Sequence, residues 1–438
     1  MFAVKLIFFC WFGVKKLTLC KKLKFNYTML IKNIKLLVGI LPQGVTRLSG
    51  EDMNRLNTIE NAYILLENGL IKEFGQMAQC PDYKGETINA MGKMVFPSFC
   101  DSHTHIVFAG SREGEFLDKI NGLSYEEIAK RGGGILNSAR KLHETSEDEL
   151  YAQALRRLKM VIGFGTGALE IKSGYGLSTE DELKMLRVIR RLSQTTSATI
   201  KATFLGAHAF PQEYKNGRED EYVDLVCNEM LPKVAAEGLA DFVDVFCDKG
   251  FFTVDQTARI LEAAQKYGIR GKIHANELDF SGGVQVGVRY NALSVDHLEA
   301  SGENEIEALK NSETMPTGLP GCSFFLNLPY APLKKMINSG LSVALATDYN
   351  PGSTPSGNMK MVLSLACIKM RLTPAQAINA ATINGAYALG LSHSHGSITA
   401  GKVANLFITK EIPSVEYIPY SYTEPIVDTV ILKGEIYK

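Results

Sequence analysis

The stretch Met94-Val-Phe-Pro-Ser-Phe-Cys-Asp-Ser-His-Thr-His105 decides the fold. Its apolar first half predicts a buried strand over Met94–Phe99, and two histidines follow one residue apart. In an extended backbone residues i and i+2 point to the same side, so His103 and His105 can bind one cation. Because the active sites of α/β barrels lie at the carboxyl ends of the strands, this stretch predicts a metal site at such an edge.

Short apolar runs of the same kind recur along the rest of the chain. Further strands are predicted at Ala168–Lys172, Lys201–Gly206, Asp241–Phe246, Gly271–His274, Ala292–Val295, Thr314–Thr317 and Leu341–Ala346. Amphipathic helices are predicted between most of them, at Glu180–Ser193, Glu219–Glu237, Val254–Tyr267 and Glu303–Asn311, and a last helix at Pro374–Leu389. About eight strands alternating with helices predict a closed (β/α)₈ TIM barrel, and a doubly wound open sheet is the competing arrangement.

Both ends of the chain show β patterns without helices. Leu30–Leu36 is one predicted strand, and Asn68-Gly69 between apolar runs is a strong hairpin signal. The tail from Gly396 is again β-rich, with a turn at Lys433-Gly434. We therefore expect a small β-sandwich formed by both ends, over 29–93 and 391–438, around a barrel over 94–390.

The first 28 residues form a separate segment in this interpretation. Their apolar run Leu6–Val14 is shorter than the roughly 20 residues that span a bilayer, and a lysine-rich stretch follows it. We expect residues 1–28 to be a dispensable leader outside the fold, with Met29 as the natural start. A membrane anchor or an import signal is the alternative.

Composition excludes several classes of protein. Hydrophobic residues make up 45% of the 438 residues and charged residues 21%, which is globular composition. The formal net charge is +0, whereas nucleic-acid binders usually carry a basic excess. The eight cysteines contain no C-x-x-C pair, so reduced thiols in a cytoplasmic protein are expected, without a nucleic-acid or membrane partner.

Four more polar groups end predicted strands, and together with the first two histidines they predict a metal centre. His274 and Asp348 end apolar strands, and three imidazoles with one carboxylate suit Zn²⁺ or iron with a position left for water. His208 and His297 also end strands and suit proton transfer or carbonyl polarisation. The three other histidines, His143, His393 and His395, are expected at the surface.

Two further features border the proposed mouth of the barrel. Arg112 is suited to bidentate recognition of a carboxylate, although a surface ion pair is an equally good interpretation of its position. Tyr175 and the glycine-containing loop Asp348-Tyr-Asn-Pro-Gly-Ser353 lie beside it, where backbone amides can approach a ligand.

The motifs together resemble a known superfamily. Phe-Pro-Ser-Phe-Cys-Asp-Ser-His-Thr-His, the late Asp348 and Gly-Ser-Ile-Thr-Ala-Gly-Lys-Val-Ala-Asn-Leu are similar to those of the amidohydrolase superfamily. Within it, Glu-Ile-Lys-Ser-Gly-Tyr-Gly-Leu, Phe-Leu-Gly-Ala-His, His-Ala-Asn-Glu and Ala-Thr-Asp-Tyr-Asn-Pro-Gly-Ser resemble the imidazolonepropionase family. The likeness runs from about Met29 to the C-terminus.

The resemblance implies a fold, a reaction and a set of site residues. The fold is the barrel with a small β-sandwich, usually as a homodimer. The reaction is hydrolysis of 4-imidazolone-5-propanoate to N-formimidoyl-L-glutamate in histidine degradation, by metal-activated water attacking the ring carbonyl. One Zn²⁺ or Fe³⁺ per chain is expected on His103, His105, His274 and Asp348. Substrate contacts are expected from Arg112, Tyr175, His208, Glu277, Asn350, Gly352 and Ser353.

The expected catalytic roles follow the side-chain types. Asp348, with His297 beside it, takes the proton of the water, and His208 polarises the carbonyl oxygen. Glu277 holds the ring nitrogen edge and hands a proton to the leaving nitrogen. Arg112 pairs with an anionic or carbonyl group of the substrate.

Three alternatives stay open from sequence. A carboxylated Lys172 would bridge two metals, but it ends the second strand whereas related binuclear enzymes carry that lysine on the fourth, so one metal is expected. A guanine- or cytosine-type deaminase would share the metal ligands but would not need the cation of Arg112. A non-catalytic barrel would tend to lose the ligands, and all four are present.

Overall fold

The described part of the chain begins in a mixed sheet. The computed structural model describes residues 28–123, 127 and 133–438, so the proposed leader, apart from Thr28, lies outside the described residues. The first strands are β1 (Thr28–Val38), β2 (Thr58–Glu67), β3 (Leu70–Gln76), β4 (Glu86–Asn89) and β5 (Lys93–Pro97). Short 3₁₀ turns lie at Gly50–Asn54 and Met77–Gln79.

The predicted hairpin at Asn68-Gly69 is present between β2 and β3. Asn68 has φ 54° and Gly69 has φ 83°, the left-handed pair that a type I′ turn requires. A Cβ on Gly69 would also lie 3.2 Å from the carbonyl oxygen of Lys433, so the residue is constrained by both conformation and space.

Eight parallel strands then form the barrel, in the order of the chain. They are β6 (Phe99–Asp101), β7 (Thr166–Lys172), β8 (Thr199–Ala207), β9 (Phe242–Cys247), β10 (Arg270–Ala275), β11 (Ser294–His297), β12 (Met315–Gly318) and β13 (Ala344–Leu345). The ring closes just beyond its first and last strands, through a parallel bridge between Thr104 and Tyr349. Thr347 donates from its amide and its hydroxyl to Asp101, at 2.9 and 2.6 Å. The closed barrel is confirmed, and the open sheet is excluded.

The tail returns to the first sheet with β14 (Leu406–Glu411), β15 (Val427–Leu432) and β16 (Glu435–Ile436). The strand order is β16-β15-β14-β5-β1-β2-β3, with β4 paired to β1. The expectation that both ends meet is confirmed. The first part of the tail is a loop rather than a strand, with isolated bridges from Ile398 to Ile40 and from Val403 to Leu70.

The single strand predicted over Met94–Phe99 is wrong. Lys93–Pro97 pairs with β1 and β14 in the mixed sheet, and the first barrel strand is Phe99–Asp101. Proline has no N–H for a ladder, so the chain changes sheets at Pro97, and the amide of Ser98 donates to Asn405 O at 2.9 Å. The division of the chain into two domains stays a prediction.

Helices cover the barrel. They are Glu113–Ile120, Ile135–Glu144, Glu147–Gly163, Thr179–Thr195, Glu219–Leu225, Leu231–Ala236, Val254–Gln265, Gly283–Arg289, Glu303–Lys310, Pro320–Leu326, Leu333–Asn338, Met359–Met370, Pro374–Ala381, Ile383–Ala388 and Tyr417–Tyr420, with a 3₁₀ turn at Gln212–Tyr214. The helix predicted over Glu219–Glu237 contains a π-helical turn at Val226–Met230 before Pro232. The helix predicted over Pro374–Leu389 is interrupted at Thr382.

Candidate metal centre and substrate pocket

The closure of the barrel brings its first and last strands together at the candidate site. The amide of Asp348 donates to His103 O, and the amide of His105 donates to Tyr349 O, both at 2.9 Å. Asp348 has φ 55°, a conformation that non-glycine residues rarely adopt. This backbone geometry places the Asp348 carboxylate opposite the two histidines.

The four predicted ligands converge. His103 Nε2 lies 3.1 Å from His274 Nε2 and 3.3 Å from His105 Nε2. Asp348 Oδ1 lies 3.6 Å from His103 Nε2 and 3.5 Å from His105 Nε2. Donors about 2.1 Å from a tetrahedral zinc ion would be about 3.4 Å apart. These four separations suit one metal ion centred beside His103 Nε2, and all four side chains are buried.

The protonation of the histidines supports the same conclusion. His103 Nδ1 lies 2.7 Å from Asp296 Oδ2, and His274 Nδ1 lies 3.0 Å from Asp244 Oδ2. Burial lowers the pKa of His103 well below its usual value and that of His274 to about 3, so both rings are neutral. We place the proton of each neutral ring on Nδ1, beside its carboxylate. The lone pairs of His103 Nε2 and His274 Nε2 then face each other. A cation between them removes this repulsion, so the donor set fits a metal ion.

A buried layer of charges lies directly beneath these histidines. Lys172 Nζ donates to Glu170 at 2.8 Å and to Asp244 at 2.6 Å. Lys272 Nζ donates to Glu170 at 2.5 Å and lies 3.7 Å from Asp296. All five side chains are fully buried. Of these five charges only Lys172 was singled out from sequence, although charged residues inside otherwise apolar strands are a visible signal of such a layer.

Lys172 has no role as a metal bridge in this arrangement. Burial opposes its charge, but Asp244 and Glu170 outweigh burial and raise the pKa of Lys172. A lysine that stays protonated between two carboxylates is a poor substrate for carboxylation, which needs the neutral amine.

A second polar cluster lies beside the first. His297 Nδ1 lies 3.6 Å from Glu277 Oε2 and 3.7 Å from Glu299 Oε2. Burial opposes a charge on the His297 ring, but Glu277 and Glu299 outweigh burial and raise its pKa, while burial raises the pKa of Glu277. His297 has φ 83°, and this strained backbone turns its ring toward His103 and His274, with ring centroids 5.5 and 5.2 Å away.

His208 stacks on His105 with ring centroids 5.4 Å apart. Its Nδ1 lies 2.9 Å from Gly174 O, an acceptor, so Nδ1 carries the proton. Burial lowers the pKa of His208 to about 4, which leaves Nε2 unprotonated at neutral pH. The exposed edge of this ring is therefore a hydrogen-bond acceptor.

Arg112 is fixed by a carboxylate on its own helix. Its Nε and Nη2 donate to Glu115 Oε2 at 2.8 and 2.6 Å. Glu115 also accepts hydrogen bonds from Gly134 N and Asn137 Nδ2, at 3.1 and 3.0 Å. The remaining Nη1 reaches Gly352, where any Cβ would collide with it. Arg112 thus forms a largely buried ion pair and borders the loop of Asp348, while its recognition of a carboxylate stays a prediction.

The loop after β13 supports Asp348. Asn350 Oδ1 accepts from the amides of Gly352 and Ser353 at 2.7 and 2.8 Å, and its Nδ2 donates to Asp348 O at 2.8 Å. Ser353 Oγ donates to Asp348 Oδ2 at 3.0 Å, which leaves Oδ1 for the histidines. The Asn350 amide is used within the loop, so its contribution is to the shape of the site. Tyr175 is buried, and burial raises its pKa.

The three histidines that we expected at the surface differ in their exposure. His143 and His393 are exposed, as predicted. The prediction is wrong for His395, which is 5% exposed. Its Nε2 lies 2.9 Å from Thr199 Oγ1 and its Nδ1 lies 2.8 Å from Ser394 Oγ, so the tail satisfies both nitrogens against the barrel.

Comparison with known proteins agrees with this geometry. The model of the amidohydrolase family matches residues 94–437. An imidazolonepropionase of Christiangramia forsetii is 57% identical over 93% of this chain and 100% of its own length. One from Flavobacterium johnsoniae is 56% identical over 93% of this chain and 99% of its own length. The solved guanine deaminase of E. coli shares the fold, with a TM-score of 0.70 and 14% identity over 94% of this chain and 99% of that one.

A metal-dependent barrel with these matches defines the class of the protein: the chain belongs to the amidohydrolase family. Within that family it belongs with the imidazolonepropionases, which it matches over nearly their whole length. It is a metal-dependent hydrolase that acts on a small-molecule substrate.

Proposed function

We propose that this chain hydrolyses 4-imidazolone-5-propanoate to N-formimidoyl-L-glutamate. The observation that carries the proposal is that His103 Nε2 lies 3.1 to 3.6 Å from donor atoms of His274, His105 and Asp348, in the same pocket as Arg112. The names of the relatives support the same substrate. In the reaction, water adds to the ring carbonyl carbon, the C–N bond of the ring breaks, and the leaving nitrogen receives a proton.

We further propose one Zn²⁺ or Fe³⁺ per chain on His103, His105, His274 and Asp348. The donor atoms of His103, His105 and Asp348 lie within 4.8 Å of one another, and His274 Nε2 lies 3.1 Å from His103 Nε2. When bound, the ion supplies the Lewis acidity that activates water for attack on the ring carbonyl. The engagement of Lys172 by two carboxylates supports a single resident ion.

Asp348 is suited to take the proton of the attacking water. Its Oδ2 is held by Ser353, so the orientation of the carboxylate is set before the substrate arrives. Burial raises the pKa of Asp348 to about 6, close to the range in which a general base works best. A cation on the histidines opposes this rise and keeps the group ionised.

His297 and Glu277 form the donor side of the pocket. The raised pKa of His297 keeps its ring protonated, and Glu277 Oε2 lies 3.6 Å from His297 Nδ1. His297 therefore donates to the ring carbonyl oxygen and stabilises the developing negative charge. Glu277 holds the ring nitrogen edge and hands the proton to the leaving nitrogen.

The structure leads us to revise the role of His208. We predicted from sequence that it polarises the carbonyl oxygen, which needs an N–H aimed at the substrate. Its bond to Gly174 O uses the only proton of the neutral ring. We propose instead that His208 Nε2 accepts a hydrogen bond from a ring N–H of the substrate.

Arg112 and Tyr175 form the polar end of the pocket. Glu115 fixes two nitrogens of the Arg112 guanidinium, which leaves Nη1 to bind the propionate of the substrate. Gly352 contributes by having no side chain in this space. A neutral purine or pyrimidine base carries no anionic group to pair with this cation, which is the feature that favours an acidic substrate over that of a deaminase.

Two broader expectations belong with this proposal. The six cysteines within the described residues are all free thiols, which supports a reducing compartment such as the cytoplasm. A homodimer is the assembly that the family resemblance implies, and size-exclusion chromatography with light scattering tests it.

The test is turnover by the metal-loaded full chain, followed through the ultraviolet absorbance of the imidazolone. We expect activity that disappears on metal removal and returns with one equivalent of Zn²⁺ or iron per chain. Guanine and cytosine are the comparison substrates. Faster turnover of either base than of the imidazolone would refute the proposal, and so would full activity without metal.

A further inference from the structure

We propose that Glu277, His297 and Cys322 form a second, lower-affinity site for a thiophilic divalent cation, Zn²⁺ or Cd²⁺, and that its occupation inhibits turnover. The three side chains follow three successive barrel strands: Glu277 follows β10, His297 ends β11 and Cys322 follows β12. Their ligand atoms lie within 4.8 Å of one another.

The spacing of the donors fits one ion. Cys322 Sγ lies 3.6 Å from Glu277 Oε1, and His297 Nδ1 lies 3.6 Å from Glu277 Oε2. A tetrahedral zinc ion about 2.3 Å from sulfur and about 2.1 Å from nitrogen and oxygen would hold such atoms about 3.4 to 3.6 Å apart. The thiolate, imidazole and carboxylate set is one that zinc and cadmium accept.

Unpaired buried atoms give independent support. His297 Nδ1 and Glu299 Oε2 have no hydrogen-bond partner among the described residues, although each is buried. The two atoms lie 3.7 Å apart, which is longer than a hydrogen bond, so a proton on one of them does not satisfy the other. Buried polar atoms without partners are costly, and a cation placed between them would satisfy both.

The local charge also favours a cation. Glu277 Oε2 and Glu299 Oε2 lie 3.6 and 3.7 Å from His297 Nδ1. Two carboxylates therefore face one imidazole here, apart from Asp348, which is assigned to the resident ion. A second divalent ion would balance the negative charge that one imidazole does not.

The same facts make this site weaker than the resident one. Burial raises the pKa of the Cys322 thiol, so a cation must displace its proton to solvent. The resident ion on His103 and His274 repels a second cation nearby. Loading is therefore expected only when free cation is in excess.

The inhibition rests on the proposed function, whereas the binding does not. A cation on Glu277 and His297 removes the two groups that would hold the ring and move its proton. Cys322 contacts the proposed machinery only through Glu277 Oε1, and serine keeps a donor there, so we expect Cys322→Ser to retain most of the basal turnover.

The test titrates the full chain, already carrying one resident ion, with Cd²⁺. We expect one further Cd²⁺ per chain by equilibrium dialysis, a cadmium–thiolate absorption band, and loss of turnover in step with binding. Cys322→Ser keeps the size of the side chain and removes the thiolate, so it should lose the band. It should also need at least tenfold more Cd²⁺ for half-inhibition. Cys227→Ser, a half-buried thiol elsewhere, is the matched control and should behave as the wild type.

Several outcomes separate the possibilities. Equal Cd²⁺ binding and inhibition in Cys322→Ser and wild type would overturn the site, as would release of one resident ion for each Cd²⁺ bound. Binding that depends on Cys322 without any loss of turnover would support the site and overturn the roles of Glu277 and His297. Should Cys322→Ser fold poorly, two other measurements show whether Cd²⁺ binds at Cys322. They are Cd²⁺ titration of Cys322→Ala and the anomalous signal of a Cd²⁺-soaked wild-type crystal.

Discussion

At the scale of single residues, the groups proposed for chemistry are oriented by partners that the substrate never touches. His103 is held by Asp296, and Arg112 is held by Glu115. In both pairs a carboxylate accepts from one edge of the ring or guanidinium. This fixes the orientation of the other edge, which is His103 Nε2 in the first pair and Arg112 Nη1 in the second.

The Arg112 pair leads to a prediction about substrate affinity. Glu115→Gln removes the charge that holds two nitrogens of the guanidinium, so Arg112 loses its fixed orientation. We expect KM to rise about tenfold, or about 1.4 kcal/mol, with kcat within about twofold, because the propionate is bound before and during the reaction.

The control for this prediction lies on the same helix. Glu113 is exposed and bonds to Ser111 without reaching Arg112, so Glu113→Gln should leave KM unchanged. Steady-state kinetics on the imidazolone measure both variants. A fall in kcat at constant KM for Glu115→Gln would contradict the positioning role.

At the scale of elements, the barrel strands supply a layer of charges beneath the metal donors. β7 contributes Glu170 and Lys172, β9 contributes Asp244, β10 contributes Lys272 and β11 contributes Asp296. Side chains of neighbouring strands point inward at the same level, so the layer forms from residues far apart in sequence. Its carboxylates reach the histidines above and its lysines balance their charge.

This layer predicts a change in metal affinity. Asp296→Asn weakens the acceptor for His103 Nδ1 and allows the ring to turn or change tautomer. We expect metal affinity to fall 10- to 100-fold, roughly, as for other partners of metal-bound histidines. Competition with a chelator of known affinity measures the loss, and turnover should largely recover at saturating metal.

Asp248→Asn is the matched control for the layer. Asp248 is also a buried acid beyond a barrel strand, but its partners are Ser281 and the amides of Lys249 and Leu278. Metal affinity should not change in this variant. An equal loss in both variants would mean that Asp296 acts through general stability alone.

The sequence was sufficient for the elements that depend on local pattern. Seven barrel strands and the Asn68-Gly69 hairpin follow from apolar runs and turn chemistry, and the ligands follow from histidines at strand ends. The change of sheet at Pro97 was missed because one apolar run can serve two sheets. The proton on His208 was missed because it depends on Gly174 O, a backbone acceptor that only the folded loop brings close.

At the scale of the whole molecule, the tail is joined to the barrel through His395. Burial, with Lys402 and Lys433 nearby, lowers the pKa of His395 to about 4. Its bond to Thr199 on β8 therefore forms with a neutral ring. In the unfolded chain this histidine has a pKa near 6.5 and is protonated below that pH. At such a pH the chain must lose this proton in order to fold.

This contact predicts a dependence of stability on pH. The pKa of His395 is lower in the folded chain than in the unfolded one. The contribution of the neutral ring to the free energy of unfolding is therefore complete above about pH 6.5 and is lost as the pH falls toward 4. Between pH 7 and pH 5 it amounts to about 1 to 2 kcal/mol. Urea unfolding at the two pH values should therefore show a smaller change for His395→Gln than for wild type.

His393→Gln is the control, since His393 is exposed in the same loop. Comparing changes between two pH values cancels the loss of the Thr199 hydrogen bond and the titration of other groups. If His395→Gln loses as much stability between pH 7 and pH 5 as wild type does, the ring is not buried as a neutral group.

The bridge between Thr104 and Tyr349 has a consequence for the biosynthesis of this enzyme. The ribosome releases His103 well before Asp348, so on the proposed ligand set a nascent chain presents its fourth donor last. Full metal affinity is therefore expected only after the barrel has closed.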